Sequence, residues 1–274
     1  MGTVLWRFLD TGEGNAFFNM ALDEAVVDAV RKKESPPTFR VFEWAEPAIT
    51  VGYSQCIRDA IDFGRCEREG VAVTRRLTGG RAVFHDDDLG YSMIGSRGDP
   101  AFGGRIRDTF RSIHEMLVRA LWGIGLDARL YDSASGDGSG DTVIAFSCWD
   151  RVYRFDILLD GGKLVGSAQR RFGDVFLQQG SIIIGTPQAD IARYLTDPAA
   201  YRESGRLPGT GNFSPDMEYT GSVTINDLKK ALFRELCEIP AIRCERGALA
   251  PGEIETAGRY VSQRYRSKGW VWKR

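Results

Sequence analysis

Runs of apolar residues at strand or helix spacing divide the chain into elements before any chemistry is considered. Val4 to Leu9 (VLWRFL) reads as a strand, and Asp10 to Asn15 (DTGEGN) as a turn into a helix. From Ala16 to Lys33 the apolar positions Phe17, Met20, Ala21, Leu22, Ala25 and Val26 recur at helical spacing, and Ser35-Pro36-Pro37 stops that helix. Thr38 to Trp44 and Ala48 to Gly52 are β-rich runs broken by Glu46-Pro47. Asp62 to Glu69 is a short helix closed by Gly70, Val71 to Thr74 a strand, and Ala82 to Phe84 and Tyr91 to Ile94 two more. Ile106 to Trp122 is the clearest helix, with a face set by Ile106, Phe110, Ile113, Leu117 and Leu121. His114 lies next to that face and reads as structural.

Further on, Phe155 to Leu159, Leu164 to Ala168, Val175 to Leu177 and Ser181 to Ile184 are apolar runs separated by Asp160-Gly161-Gly162 and Gly173-Asp174, the pattern of consecutive antiparallel strands. Asp190 to Leu195 and Asn226 to Cys237 read as amphipathic helices, the second following Thr224 with Asp227 in its first turn. Tyr201 to Tyr219 is irregular, and a last helix spans Gly252 to Ser267 just after Pro251, ahead of Trp270-Val271-Trp272. Ser133 to Asp141 (SASGDGSGD) is too polar to pack and is expected to be mobile, either as a lid or as a surface linker.

Composition narrows the class without naming a function. The 274 residues are 43% hydrophobic and 27% charged, as in ordinary globular proteins, and no apolar run approaches a membrane span. With 36 basic and 37 acidic residues, nothing global points to nucleic acid or an anionic membrane. The N-terminus lacks a secretion pattern, so a cytoplasmic location is expected. Five cysteines without close pairing (Cys56, Cys66, Cys148, Cys237, Cys244) argue for reduced thiols rather than disulfides or zinc, and two histidines make a histidine-rich metal site untenable.

Two stretches carry candidate chemistry. Between strands, Gly79-Gly80 lets backbone approach a ligand closely, although no GxxxxGK[ST] phosphate loop occurs there. Cys148 sits just ahead of the strand meander and Lys163 inside it. An ordinary thiol, of pKa ~8.5, is mostly protonated at neutral pH; a nearby ammonium lowers that value and can also donate to the oxyanion formed when a thiolate attacks a carbonyl. Thioester substrates suit such a pair. A buried cysteine and a solvated lysine in a core sheet are the alternative.

The residues resemble a known superfamily. Arg75 to His85 (RRLTGGRAVFH) is similar to the RRxTGGRAVxH signature of the biotin/lipoate protein ligases, Gly162 to Gln169 (GKLVGSAQ) to their GKKxxGSAQ element, and Leu177 to Ser181 (LQQGS) to their LQHGS strand. The likeness extends to Asn19 to Glu24 (NMALDE) and to the Trp270 to Arg274 tail. It implies an α/β (α+β) fold of mixed, largely antiparallel sheets flanked by helices, of the biotin/lipoate protein ligase catalytic-domain type. Residues 1–250 would form the catalytic domain, and 251–274 a helix and tail packed on it.

Within the superfamily the chain looks most similar to the cysteine-dependent octanoyltransferases of lipoate synthesis, which move an octanoyl group from acyl carrier protein to a lysine of a lipoyl-domain protein such as glycine cleavage H protein. By that resemblance Cys148 is the acyl-thioester nucleophile and Lys163 lowers its pKa. Arg75, Arg76, Thr78, Gly79, Gly80, His85, Gly166, Ser167, Gln179 and Gly180 bind substrate, with no metal or cofactor. The implied partners are octanoyl-acyl carrier protein and the lipoyl acceptor, with neither nucleic acid nor membrane.

This chain departs from the pattern at Gln179, where many relatives have histidine, and at Arg81, where ATP-dependent lipoate ligases have a third glycine. Such a ligase, a transferase between lipoyl proteins, and a non-catalytic lipoyl-domain or carrier-binding protein are the alternatives. An unbroken hairpin about Gly161-Gly162 would separate Cys148 from Lys163 by ~30 Å at ~3.3 Å per residue, so the pair requires the strand to begin late, near Phe155, with Cys148 folded back.

Overall fold

The computed structural model describes residues 3–57, 59–132, 147, 152–184, 191–199 and 223–273. The expected positions Cys148, Ser133 to Asp141 and Tyr201 to Tyr219 lie outside them. In chain order the elements are β1 (Val4–Gly14), α1 (Ala16–Arg31), β2 (Thr38–Trp44), β3 (Ala48–Val51), α2 (Phe63–Arg68), β4 (Ala72–Arg75), β5 (Val83–His85), β6 (Asp88–Ser96) and α3 (Ile106–Trp122). There follow β7 (Arg129–Leu130), β8 (Ile157–Leu159), β9 (Gly162–Phe172), β10 (Val175–Ile183), α4 (Ile225–Cys237), β11 (Ile242–Arg246), α5 (Pro251–Tyr260) and the short α6 (Lys268–Val271).

Eight strands form a mixed sheet in the order β11-β1-β2-β6-β10-β9-β8-β7, parallel only where β1 meets β11 and β2. A second sheet is ordered β4-β3-β5, with β3 parallel to β4 and antiparallel to β5. The fold is therefore the mixed, largely antiparallel α/β arrangement that the resemblance implied. Alternation along the central strands explains why they are apolar on both faces. Leu89, Tyr91 and Met93 of β6 join Ile113, Leu117 and Leu121 of α3 and Leu228 and Leu232 of α4 in one core. Ile94 of β6 and Leu177 of β10 instead pack with Met20, Leu22 and Val26 of α1 and Ala257 of α5. The small sheet has its own core, with Ile49, Phe84 and Tyr194.

Helix boundaries follow local chemistry. Asn15 caps α1 by accepting from Phe18 N–H, and Thr224 and Asp227 form a reciprocal capping box at α4. Several expectations are corrected. Asp10 to Gly14 is not a turn: β1 runs on past a bulge, with Gly12 at φ +60°, to pair with Glu43 and Trp44. The runs Val175 to Leu177 and Ser181 to Ile184 belong mostly to one strand, because the polar Gln178-Gln179-Gly180 link is paired with β6 on one side and β9 on the other. Ile106 is 57% exposed rather than part of the α3 core face. Around 190–195 the described helix is a single 3₁₀ turn, Ile191–Tyr194. The last helix starts at Pro251, whose missing N–H costs nothing at a first helical position, and widens to a π turn over Val261–Tyr265.

Candidate active site

Strand β4 leads into the glycine turn, and Arg75 at its end and Arg76 just beyond it have different tasks. Arg75 is buried and directed away from the turn: its guanidinium donates to the carbonyls of Gly52, Tyr53 (3.1 Å), Gln55 (2.8 Å), Trp270 (3.0 Å) and Val271 (2.6 Å), tying the α6 tail to the small sheet. Arg76 holds the turn itself, donating to the carbonyls of Gly79 and Arg81 at 2.7 Å each and of Thr50 at 3.0 Å. Gly80 lies at φ +83°, a conformation glycine adopts without strain. Its carbonyl packs so closely on Gly52 that a Cβ there would sit 1.9 Å away, while a Cβ on Gly79 would meet nothing within 4 Å. The turn thus presents an open backbone face at Gly79. Just beyond it Ala82 bridges to Ser147, the residue that precedes Cys148 in the chain.

Between the two sheets lies a small pocket. Its apolar walls include Met20, Phe42, Trp44 and Tyr91, and Arg76, His85, Gly166, Ser167, Gln179 and Gly180 also line it. Gly180 is a requirement of that geometry, since a Cβ would fall 2.3 Å from the Tyr91 ring and 2.6 Å from Ser167 Oγ. His85 presents its ring face, stacked on Trp44 at 3.9 Å, because Thr50 Oγ1 (2.8 Å) and Asp88 Oδ2 (2.9 Å) occupy its two nitrogens.

Gln179 uses both ends of its amide: Oε1 accepts from Thr78 Oγ1 at 2.8 Å, and Nε2 donates to Asp23 Oδ2 at 2.7 Å. Asp23 is also paired with Arg40 at 2.7 Å, both side chains fully buried, and Arg40 donates to the Asn19 side chain and carbonyl. Burial lowers the Arg40 pKa, against the pull of Asp23. Asn19 and Asp23 of the NMALDE stretch therefore brace β2 and β10 behind the pocket.

Lys163 is 2% exposed, and its ammonium contacts Asp156 Oδ2 at 2.7 Å. Burial pushes the Asp156 carboxyl up, while Lys163 and the Tyr153 N–H, which donates at 2.8 Å, hold it down. Strand β8 begins at Ile157, late as the hairpin geometry requires, behind a corner where Phe155 takes φ +73°. A non-glycine residue there costs about 1–3 kcal/mol and persists because its surroundings impose it. His114, expected to be merely structural, is one of those surroundings: Nδ1 meets the Phe155 carbonyl at 2.5 Å and Nε2 meets Ser167 Oγ at 2.8 Å. Burial lowers its pKa to about 4, and the nearby Lys163 ammonium pushes the same way.

Sequence reasoning missed Asp156, which only the β8–β9 hairpin brings to Lys163, and the links from His114 and Tyr91 to Ser167. The one signal available for Asp156 was an acidic residue opening an otherwise apolar strand. The expected residues fall into three places: Arg76, His85, Gly166, Ser167, Gln179 and Gly180 line the pocket; Thr78, Gly79 and Gly80 build the adjoining turn; Arg75 serves the tail. Among the described residues no helix is long and apolar enough to cross a membrane.

Known proteins resemble this chain in sequence and in fold. The model of the lipoyl protein ligase A/B catalytic domain matches residues 15–237. An octanoyltransferase LipM of Kyrpidia tusciae is 34% identical over 275 residues, covering 98% of this chain and 99% of that protein. LipM of Bacillus subtilis is 30% identical over 275 residues, covering 98% of each. A crystal structure of lipoate-protein ligase A bound with ATP superposes with a TM-score of 0.72 over 99% of both chains at 24% identity, a likeness of fold.

Proposed function

Because the chain belongs to the lipoyl protein ligase A/B catalytic domain family, we propose that it is an octanoyltransferase of lipoate synthesis, taking octanoyl from acyl carrier protein and placing it on a lysine of a lipoyl-domain protein through a thioester on Cys148. One observation carries the reading: Ser147, next to Cys148, is anchored to Ala82 beside the glycine turn, where an apolar pocket adjoins β9, the strand that bears the buried Lys163. Near full-length likeness to LipM proteins supports octanoyl as the cargo.

In this mechanism the pocket takes the acyl chain, and the Cys148 thiolate attacks the donor thioester carbonyl. The carrier thiolate leaves, and Lys163 stabilises first the thiolate and then the oxyanion. The acceptor amine next attacks the enzyme thioester and regenerates the thiol, a step running downhill to an amide. Asp156 holds the Lys163 ammonium in place. Residues 1–250 would form the catalytic unit, with α5 and the tail packed on it, acting in the cytoplasm.

The donor arrives activated, so transfer needs neither ATP nor magnesium. The test compares octanoyl-acyl carrier protein without ATP and free octanoate with Mg-ATP, each with the same lipoyl acceptor. Octanoylated acceptor is expected in the first reaction. Product only in the second, retained in Cys148→Ala, would identify an ATP-dependent ligase instead.

A further inference from the structure

His114 lies at the end of a hydrogen-bond chain whose direction is set at both ends. Arg171 can only donate, and its Nε gives to Gln169 Oε1 (3.2 Å); Gln169 Nε2 then gives to Gln178 Oε1 (3.0 Å), and Gln178 Nε2 to Tyr91 Oη (3.3 Å). At the other end a carbonyl can only accept, so the His114 Nδ1 facing Phe155 O at 2.5 Å carries the hydrogen. A neutral ring then has a bare Nε2, which takes the Ser167 hydroxyl hydrogen at 2.8 Å, and Ser167 in turn accepts from Tyr91 at 2.6 Å. Every link runs the same way. Ser167 on the pocket wall is left as an acceptor only.

The Phe155 carbonyl belongs to the corner that precedes Asp156. The corner is also held by the Phe155 N–H, which donates to Tyr131 O at 2.6 Å, by the Asp156 N–H, which donates to Tyr153 O at 2.9 Å, and by the Tyr131 N–H, which donates to Asp156 O at 2.8 Å. We propose that His114 is a positioning residue for acyl transfer: through the Phe155 carbonyl it holds the left-handed corner that aims Asp156 at Lys163, and through Ser167 it fixes the polarity of the pocket wall. The proposal rests on the cysteine–lysine reading above. The groups facing the imidazole are Ser167 and Tyr91 of the sheet, the Phe155 carbonyl, the Phe110 ring at 4.4 Å, and the charge of Lys163 with its partner Asp156. A ring so placed beside an ammonium is a poor proton acceptor, which separates positioning from base catalysis.

The test uses the full chain with octanoyl-acyl carrier protein, reading kcat, KM and the pH midpoint of Cys148 alkylation in wild type, Lys163→Ala, His114→Phe, His114→Asn and the pair His114→Phe with Phe155→Gly. Asparagine keeps a donor near Nδ1, and glycine adopts the left-handed corner freely. His114→Phe is expected to lower kcat roughly 10²-fold, as misplacement by about 1 Å does, with KM little changed and the alkylation midpoint moved upward as in Lys163→Ala. His114→Asn and the Phe155→Gly pair each recover most of that loss.

A folded His114→Phe with wild-type kcat and midpoint overturns the proposal, as does a loss that neither second change relieves. If His114→Phe does not fold, His114→Asn decides: a kcat near wild type supports the proposal, and a loss as large as that of Lys163→Ala overturns it. The underlying reading fails separately. Then wild type gives no Cys148 adduct or Lys163→Ala keeps the wild-type midpoint, and the proposal falls with it; a midpoint shift in Lys163→Ala without one in His114→Phe refutes only the role of His114.

Discussion

Acidification is the perturbation to which the buried imidazole should respond most. His114 is fully buried with a pKa near 4, below the ordinary 6.5, so between those values the unfolded chain binds a proton that the folded chain refuses. Its contribution to stability is therefore intact above pH 6.5 and is lost as the pH falls toward 4. Integrating between pH 7 and pH 5 with these two values gives a loss of about 2 kcal/mol, a sizeable part of the ~5–15 kcal/mol that holds a domain folded. Carboxylates whose folded pKa is lowered, such as Glu253 held down by Arg7, the Ala250 N–H and Ser35, also lose stability on acidification, so wild type alone is not diagnostic. Replacing His114 by Asn removes the titrating ring and leaves those carboxylates. Urea titrations of both proteins at pH 7 and pH 5, with slopes compared as well as midpoints, should show wild type losing about 2 kcal/mol more than His114→Asn. Equal losses would mean that the folded state accepts the proton, contradicting the hydrogen-bond direction assigned at Ser167.

Lys163→Ala should move alkylation of Cys148 to higher pH, and it should also destabilise by about 3–5 kcal/mol, because Asp156 is left buried without its cation. Adding Asp156→Asn should recover part of that stability without restoring the alkylation profile, whereas an unchanged profile in Lys163→Ala would remove the lysine from the mechanism. Gly180→Ala should cost about 1–3 kcal/mol and depress octanoyl transfer, since its methyl would collide with the Tyr91 ring and Ser167. Wild-type denaturation midpoint and kcat/KM in that variant would show that the pocket wall yields freely.

Much of the fold was legible wherever local rules decide. Helix α3 has the expected bounds, Thr224 caps the helix foreseen after it, Asp62 caps α2 rather than being its expected first residue, and Gly70, Gly161 and Gly173 take the positive φ that their turns need. Local rules failed where a partner far away in sequence decides. Gln178 and Gln179 look like a break between strands, yet cross-strand pairing and hydrogen bonds to Tyr91 and Asp23 make them strand interior. Arg75 and Arg76 are indistinguishable in a motif, but alternation sends one to carbonyls nearly two hundred residues away and the other under the glycine turn. Asp156 carried only the signal of an acidic residue at the start of an apolar run, and His114 that of a polar residue beside an apolar helix face. Their meaning depends on the β8–β9 hairpin and on α3 packing against it.

The chemistry converges on a covalent intermediate, and intact-mass analysis tests that most directly. Mixing the protein with octanoyl-acyl carrier protein and no acceptor should add one octanoyl group, removable by hydroxylamine, to Cys148, and adding a lipoyl domain should transfer it to the acceptor lysine. Cys148→Ala should take up nothing. An adduct on Cys56, Cys66, Cys237 or Cys244, or acceptor octanoylation undiminished in Cys148→Ala, would contradict the account.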